Sequence, residues 1–136
     1  PVAHFNKTVD IYRKYFTENN ASTDNMIVGI TSLVYIDETD EKAYKRFYKY
    51  VNHTLKQSNV HGLNPEISVG SKQTIINKLV HQYEVYRHDR HMLQLDLGGM
   101  PAADVERQIK ILGEEIIPEV KRRIQEIRKS EENKWK

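Results

Sequence analysis

The stretch Met92-Leu93-Gln94-Leu95-Asp96-Leu97-Gly98-Gly99 decides how this chain is read. Side chains alternate faces along a strand, so Leu93, Leu95 and Leu97 share one face and Gln94 and Asp96 the other. A parallel strand covered by helices on both sides is expected to be apolar on both faces. Here one face is aliphatic and can receive helices. The other is polar and ends at Gly98-Gly99, where the missing Cβ lets backbone approach a ligand closely. A strand whose polar face points into a barrel, near the active-site mouth, has this pattern. An edge strand with one wet face has it too.

Beyond the glycines, Pro101 suits the first position of a helix. Val105, Ile109, Leu112, Ile116, Val120, Ile124 and Ile127 then keep helical step for about six turns. Pro118 predicts a kink, because it removes a ladder bond and crowds the carbonyl four residues back. Residues 130–136, with Trp135, read as a loose tail.

Before the strand, Ile75, Ile76, Leu79, Val80 and Tyr83 stripe one helix, with Ser71 as its N-cap. Ile67 to Val69 reads as a short strand. Ser58 to Pro65 reads as a loop, punctuated by Gly62 and Asn64-Pro65. Ala43, Phe47, Val51 and Leu55 mark a helix capped by Thr39 and running to about Gln57. Met26 to Ile36 is rich in β-branched residues and reads as a strand. Phe5, Val9, Tyr12 and Phe16 mark a first helix over about 4–18. Strict alternation of helix and strand implies parallel strands joined by right-handed crossovers.

The 136 residues suit one domain. Hydrophobic residues at 38% and charged residues at 29% fit a folded domain and not a disordered tail. No apolar run approaches the ~18 residues of a membrane helix, and no secretory signal is visible. A cytoplasmic setting with no membrane partner is the expectation. The sequons at Asn6, Asn20 and Asn52 matter only on export. The absence of cysteine excludes disulfides, thiol catalysis and thiolate metal sites. A net charge of +2 is too mild to imply nucleic acid. The basic residues of the last helix, Lys121, Arg122, Arg123, Arg128 and Lys129, interleave with acids and read as a solvated face.

Several residues resemble one family, the bacterial-luciferase-like flavin-dependent monooxygenases. His88-Asp89-Arg90 followed by Met92 to Pro101 resembles that family's last strand and loop. Ile111-Leu112-Gly113-Glu114-Glu115-Ile116-Ile117-Pro118-Glu119-Val120-Lys121 resembles its final helix, with its glycine, acidic pair and proline. Val69-Gly70-Ser71 is similar to the turn after the seventh strand. Tyr35 to Ala43 resembles the junction after the sixth, and Tyr12-Arg13 is a further familiar pair. The likeness runs from about Tyr12 to Lys121. Arg87 departs from it, standing where the family carries a helix-ending glycine.

The resemblance implies the C-terminal part, about strands six to eight with their helices, of a (β/α)8 TIM barrel. Residues 1–136 would form a single domain, a partial luciferase-like barrel. The implied activity is oxidation of a small organic substrate by reduced FMN and oxygen; a deazaflavin is the alternative cofactor. A separate flavin reductase is one supplier of reduced flavin that the resemblance allows. A full barrel takes about 250 residues, so a chain of this length is expected to be inactive alone. The family's main flavin-phosphate turn follows the fifth strand and has no counterpart here. No catalytic residue carries over.

Gly70 and Ser71 offer backbone N–H groups at a helix N-terminus, a cofactor-phosphate site or an ordinary cap. Gln94, Asp96, Gly98 and Gly99 are the candidates for a flavin or substrate pocket; the alternative is a structural polar network. Thr31 and Ser32 interrupt an apolar strand, and whichever points inward would line the pocket. His81, His88 and His91 lie toward the wrong end of the last strand for barrel chemistry, and no metal is expected. Tyr44, Tyr48, Tyr83 and Tyr86 read as surface packing on helices. A non-catalytic reading stands beside the enzymatic one. Unpaired strand edges recruit partners, so the chain could act as a half-barrel binding or assembly module that forms a homo-oligomer.

Overall fold

The computed structural model describes residues 5–58, 66–96 and 99–134. The Ser58–Pro65 loop beyond its first residue, and Leu97, Gly98 and Trp135, lie outside the described residues, as do the side chains of Asn52 and Leu55. The fold is mixed α/β, built on a small parallel three-stranded sheet. The order is α1 (Asn6–Asn19), β1 (Gly29–Asp37), α2 (Asp40–Ser58), β2 (Glu66–Ser71), α3 (Lys72–Tyr86), β3 (Arg90–Gln94), α4 (Ala102–Ile111), a π-helical turn (Leu112–Ile116) and α5 (Ile117–Lys134).

The strand order is β2-β1-β3. Here the structure departs from the barrel expectation, since successive barrel strands are neighbours and β2 would lie between the other two. Instead β1 pairs with β2 from Ser32↔Glu66 to Asp37↔Ser71, and with β3 from Gly29↔Arg90 to Leu33↔Gln94. The reason is in the side chains. The nine-residue β1 is apolar on both faces over Leu33 to Ile36, so it is suited to the middle.

The two crossovers therefore run in opposite directions, and right-handedness puts their helices on opposite faces. On one face Val34 and Ile36 pack with Ile75, Ile76 and Leu79 of α3 and with Leu112 and Ile116. On the other Tyr35 and Val69 pack with Ala43 and Phe47 of α2 and with Met100. Helices on both faces replace the single outer layer of a barrel.

β3 ends at Gln94, three residues short of the expected Leu97. Its alternation is as the sequence implies. Leu93 and Leu95 pack against the α3 side, while Gln94 and Asp96 are exposed. α2 covers the far face of β1 and β2 only, so Met92 stays 64% exposed.

Pro118 does not simply kink a continuous helix. The π turn before it widens the ladder, and the Ile117 N–H reaches the Leu112 carbonyl five residues back. Such a bulge absorbs the missing proline donor and its ring. Residues 130–134 continue α5, so the loose tail expected from residue 130 is helical up to Lys134. Of the four tyrosines expected at the surface, Tyr83 and Tyr86 are buried, while Tyr44 and Tyr48 are exposed. Arg87 takes the left-handed conformation at φ 49°, and its N–H donates to the Tyr83 carbonyl at 2.8 Å. It does the work of a capping glycine. The Arg13 guanidinium of α1 adds a second clasp, donating to the Tyr86 and Arg87 carbonyls at 2.6 and 2.9 Å. No helix among the described residues is long and apolar enough to cross a membrane.

Candidate functional site

Ligands of open parallel sheets bind beyond the carboxyl ends of the strands, where connections part to opposite faces. β1 and β3 define that place here.

The exit of β1 carries Tyr35 and Asp37, two residues apart and on one face. The Asp37 side chain is 2% exposed. Its Oδ1 accepts from the Glu38 N–H at 2.8 Å, and its Oδ2 from Arg46 Nη1 at 2.9 Å. Tyr35 is fully buried, and its hydroxyl has no hydrogen-bond partner among the described residues. Burial pushes the phenol pKa up, and the carboxylates of Asp104 and Asp37 push it further. The phenol is therefore a protonated donor with its proton unspent. Asp104 pairs with Arg107 at 3.3 Å. These residues hold an uncharged donor between two balanced ion pairs, an arrangement suited to gripping a ligand oxygen.

The exit of β1 on the β3 side is closed by α4. Gln108 is fully buried, and its amide spans the main chain of Ile36. Its Oε1 accepts the Ile36 N–H at 2.8 Å, and its Nε2 donates to the Ile36 carbonyl at 2.8 Å. β3 stops at the level of Leu33, so Gln108 stands in for a missing strand neighbour.

The exit of β2 carries Gly70 and Ser71. Gly70 has φ +152°, and a Cβ there would meet Asp40 Oδ1 and Thr74 Cγ2 at 2.7 Å. Ser71 caps α3, its Oγ accepting from the Thr74 N–H at 3.4 Å. The anion position is taken from within. The Ser71 N–H donates to Asp40 Oδ1 at 2.6 Å, and the Thr74 hydroxyl to Asp40 Oδ2 at 3.0 Å. The Ser71 amide first, and the Thr74 hydroxyl next, hold the Asp40 carboxyl below its usual range. Asp40 sits where a phosphate would.

The exit of β3 carries Gln94 and Asp96, both exposed. Gly99 has φ +91°, where side-chain-bearing residues are strained. Met100 packs into the Tyr35 cluster. Met100 is thus drawn beside the β1 exit. Gly70 and Ser71 lie across β1, about 10 Å away by strand spacing. The expected site residues do not form one group.

Thr31 and Ser32 separate. Thr31 is exposed, whereas Ser32 is buried toward α3, within 2.9 Å of His91 Nε2. No group of three or more metal-ligating side chains occurs among the described residues. Sequence reading missed Tyr35, Asp37, Asp40 and Gln108. The Tyr35-x-Asp37 spacing at a strand end was a usable signal. Nothing in the sequence marks Gln108, since its role depends on where β3 stops.

No protein-family model matches the chain, and no curated protein sequence does. A solved structure does resemble it: the monooxygenase RslO1 from Streptomyces bottropensis superposes with a TM-score of 0.64 at 14% sequence identity. The likeness covers 87% of this chain and 38% of that one. At that identity it is a likeness of fold.

Proposed function

We propose that this chain is part of an FMN-dependent monooxygenase, a luciferase-like oxidoreductase that uses reduced flavin and oxygen on a small organic substrate. The observation that carries the reading is the fold likeness to a monooxygenase over 87% of the chain. The sequence resemblance quoted for Tyr12 to Lys121 points the same way. Both concern a minor part of a larger protein, and 38% of RslO1 is matched.

The flavin phosphate does not fit Gly70 and Ser71, because Asp40 fills their N–H cradle. Phosphate anchoring falls to other parts of the protein. What this chain offers is the exposed polar edge of Gln94 and Asp96 and the buried phenol of Tyr35 beside it. In this reading Gln94 and Asp96 orient the flavin or substrate by hydrogen bonds, and Tyr35 donates to a ligand oxygen once Met100 yields. The barrel form of the proposal also requires β2 to lie beside β3, which the strand order here does not have.

The test is oxygen uptake by the intact protein supplied with reduced FMN. The proposal expects uptake that depends on flavin and on an organic substrate, and a fall in turnover for Asp96→Asn with no loss of stability. Uptake equal to that of free reduced flavin in solution would refute it.

One observation favours a second reading. β3 is an edge strand with Met92 exposed on it, so the chain could serve as a non-catalytic module completed by self-association. Size-exclusion with light scattering separates the readings, because a strict monomer is incompatible with the assembly module.

A further inference from the structure

A cavity lies on one face of the sheet, between β3, α3 and α5. Its volume is about 380 Å³, within the lower range of small-molecule pockets. Leu79, Leu93, Ile117, Val120 and Ile124 give it apolar walls. Residues 117, 120, 121, 124 and 128 recur at three- and four-residue steps, so one face of α5 supplies them. Two cations on that face, Lys121 and Arg128, also line the cavity and are exposed. Lys121 has no ion-pair partner among the described residues. Arg128 spends its Nε on the Tyr83 hydroxyl at 2.8 Å and keeps its other donors.

The β3 side is polar in a specific way. His88 is 7% exposed, and its Nδ1 has no hydrogen-bond partner among the described residues. Unsatisfied buried polar atoms are rare and call for a reason. His91 stands edge-on to His88 at 5.0 Å. Gln82 Nε2 donates to the Ser32 hydroxyl at 3.2 Å, and the same hydroxyl lies 2.9 Å from His91 Nε2. Among the described residues Asp89 is the one carboxylate lining the cavity, and its Oδ2 already accepts the Val28 N–H at 2.8 Å. Apolar walls and an excess of positive charge at one edge select a definite chemistry.

We propose that this cavity binds a small carboxylic acid with an aliphatic or aryl body, the body lying between β3 and α5 and the carboxylate meeting the cations of α5. The site is independent of the flavin reading, since it lies on the α3 and α5 face of β3, opposite the face that carries Gln94 and Asp96.

The test is a titration of the intact protein with sodium 4-phenylbutyrate, followed by NMR of the Leu93 and Ile124 methyls and the His88 and His91 rings. Saturable shifts confined to these groups are expected, with a dissociation constant below about 1 mM. The uncharged amide of the same compound is expected to bind at least about tenfold more weakly, as charge-assisted contacts are lost. Lys121→Glu, an exposed substitution, should weaken the acid about as much and leave the melting curve unchanged. The proposal is overturned by no saturable shift up to about 10 mM, by equal affinity for acid and amide, or by unchanged affinity in Lys121→Glu combined with Arg128→Glu. Shifts centred on the basic α2 residues Lys42 and Lys45 would overturn it as well.

Discussion

Gln108 and Ile36 are joined by two hydrogen bonds of 2.8 Å each, the glutamine amide both accepting from and donating to one strand residue. This contact closes the carboxyl end of β1 where β3 falls short. Leucine at 108 would leave the buried Ile36 N–H without a partner and its carbonyl with only the long contact from Arg107 Nη2 at 3.4 Å. An unsatisfied buried group costs about 1–3 kcal/mol, so Gln108→Leu should destabilise by roughly 2 kcal/mol despite the added apolar surface. Urea unfolding measures this, and a change within about 0.5 kcal/mol would mean that water replaces the amide.

Acid should loosen the cavity face of the sheet. His91 is pushed down to about 4, by burial first and by neighbouring His88 second. His88 is also lowered, chiefly by burial, with Asp89 and a hydrogen bond to the Gln82 backbone opposing and Arg13 assisting. In the unfolded chain His91 titrates near its ordinary value of about 6.5. As pH falls the unfolded state takes up the proton first. The stability that neutral His91 contributes is thus complete above about 6.5 and lost progressively toward about 4. The His91 shift corresponds to at most about 3 kcal/mol, trimmed by its partial exposure. Urea midpoints across that window should fall, and His91→Gln should flatten the fall. A pH-independent midpoint would show that both imidazoles are solvated.

Local chemistry made much of the fold legible. Ser71 and Thr39 announced their caps, and the structure has Ser71 accepting from Thr74 and Thr39 accepting from Lys42 at 3.2 Å. The leucines of 93 and 95 announced which side of β3 takes helices. Strand order was not legible, because periodicity says which face a residue occupies but not which strand lies beside it. Tyr83 and Tyr86 were misread because an aromatic on a helix carries no sign of its burial. The site divides in the same way. Gln94 and Asp96 follow from alternation, whereas Asp40 reaches Ser71 across 31 positions of sequence, and only tertiary structure brings it there.

That Asp40 contact bears on cofactor binding. With its carboxylate on the Ser71 N–H, a phosphate dianion at α3 would meet like charge. Titration of the chain with FMN, followed by flavin fluorescence, should show little binding at micromolar concentrations, about −8 kcal/mol on the affinity scale. Micromolar binding that Asp40→Asn strengthens would place the phosphate at Gly70 and Ser71 after all. Gly70→Ala is a separate check on the cradle. The added methyl would stand 2.7 Å from Asp40 and Thr74 at a φ of +152°. A cost of about 2 kcal/mol or more is expected from strain and clash together.

The strand order can be decided covalently, because the chain has no cysteine and any disulfide must come from introduced residues. Thr31 and Met92 are Cα partners across β1 and β3, and both side chains are exposed. Neighbouring strands lie about 4.8 Å apart, inside the roughly 4.4–6.8 Å that a disulfide spans. With β2 between them, as barrel order demands, the two positions would be about 10 Å apart and out of reach. Thr31→Cys with Met92→Cys should therefore crosslink fully under mild oxidation in the folded protein. The crosslinked form should resist unfolding by up to about 4 kcal/mol, the loop-entropy value for a closed loop of roughly 60 residues. Mass spectrometry of the alkylated product reads the extent of crosslinking. Thiols that stay reduced in the native protein but pair once it is denatured would place β3 away from β1 and restore the barrel order.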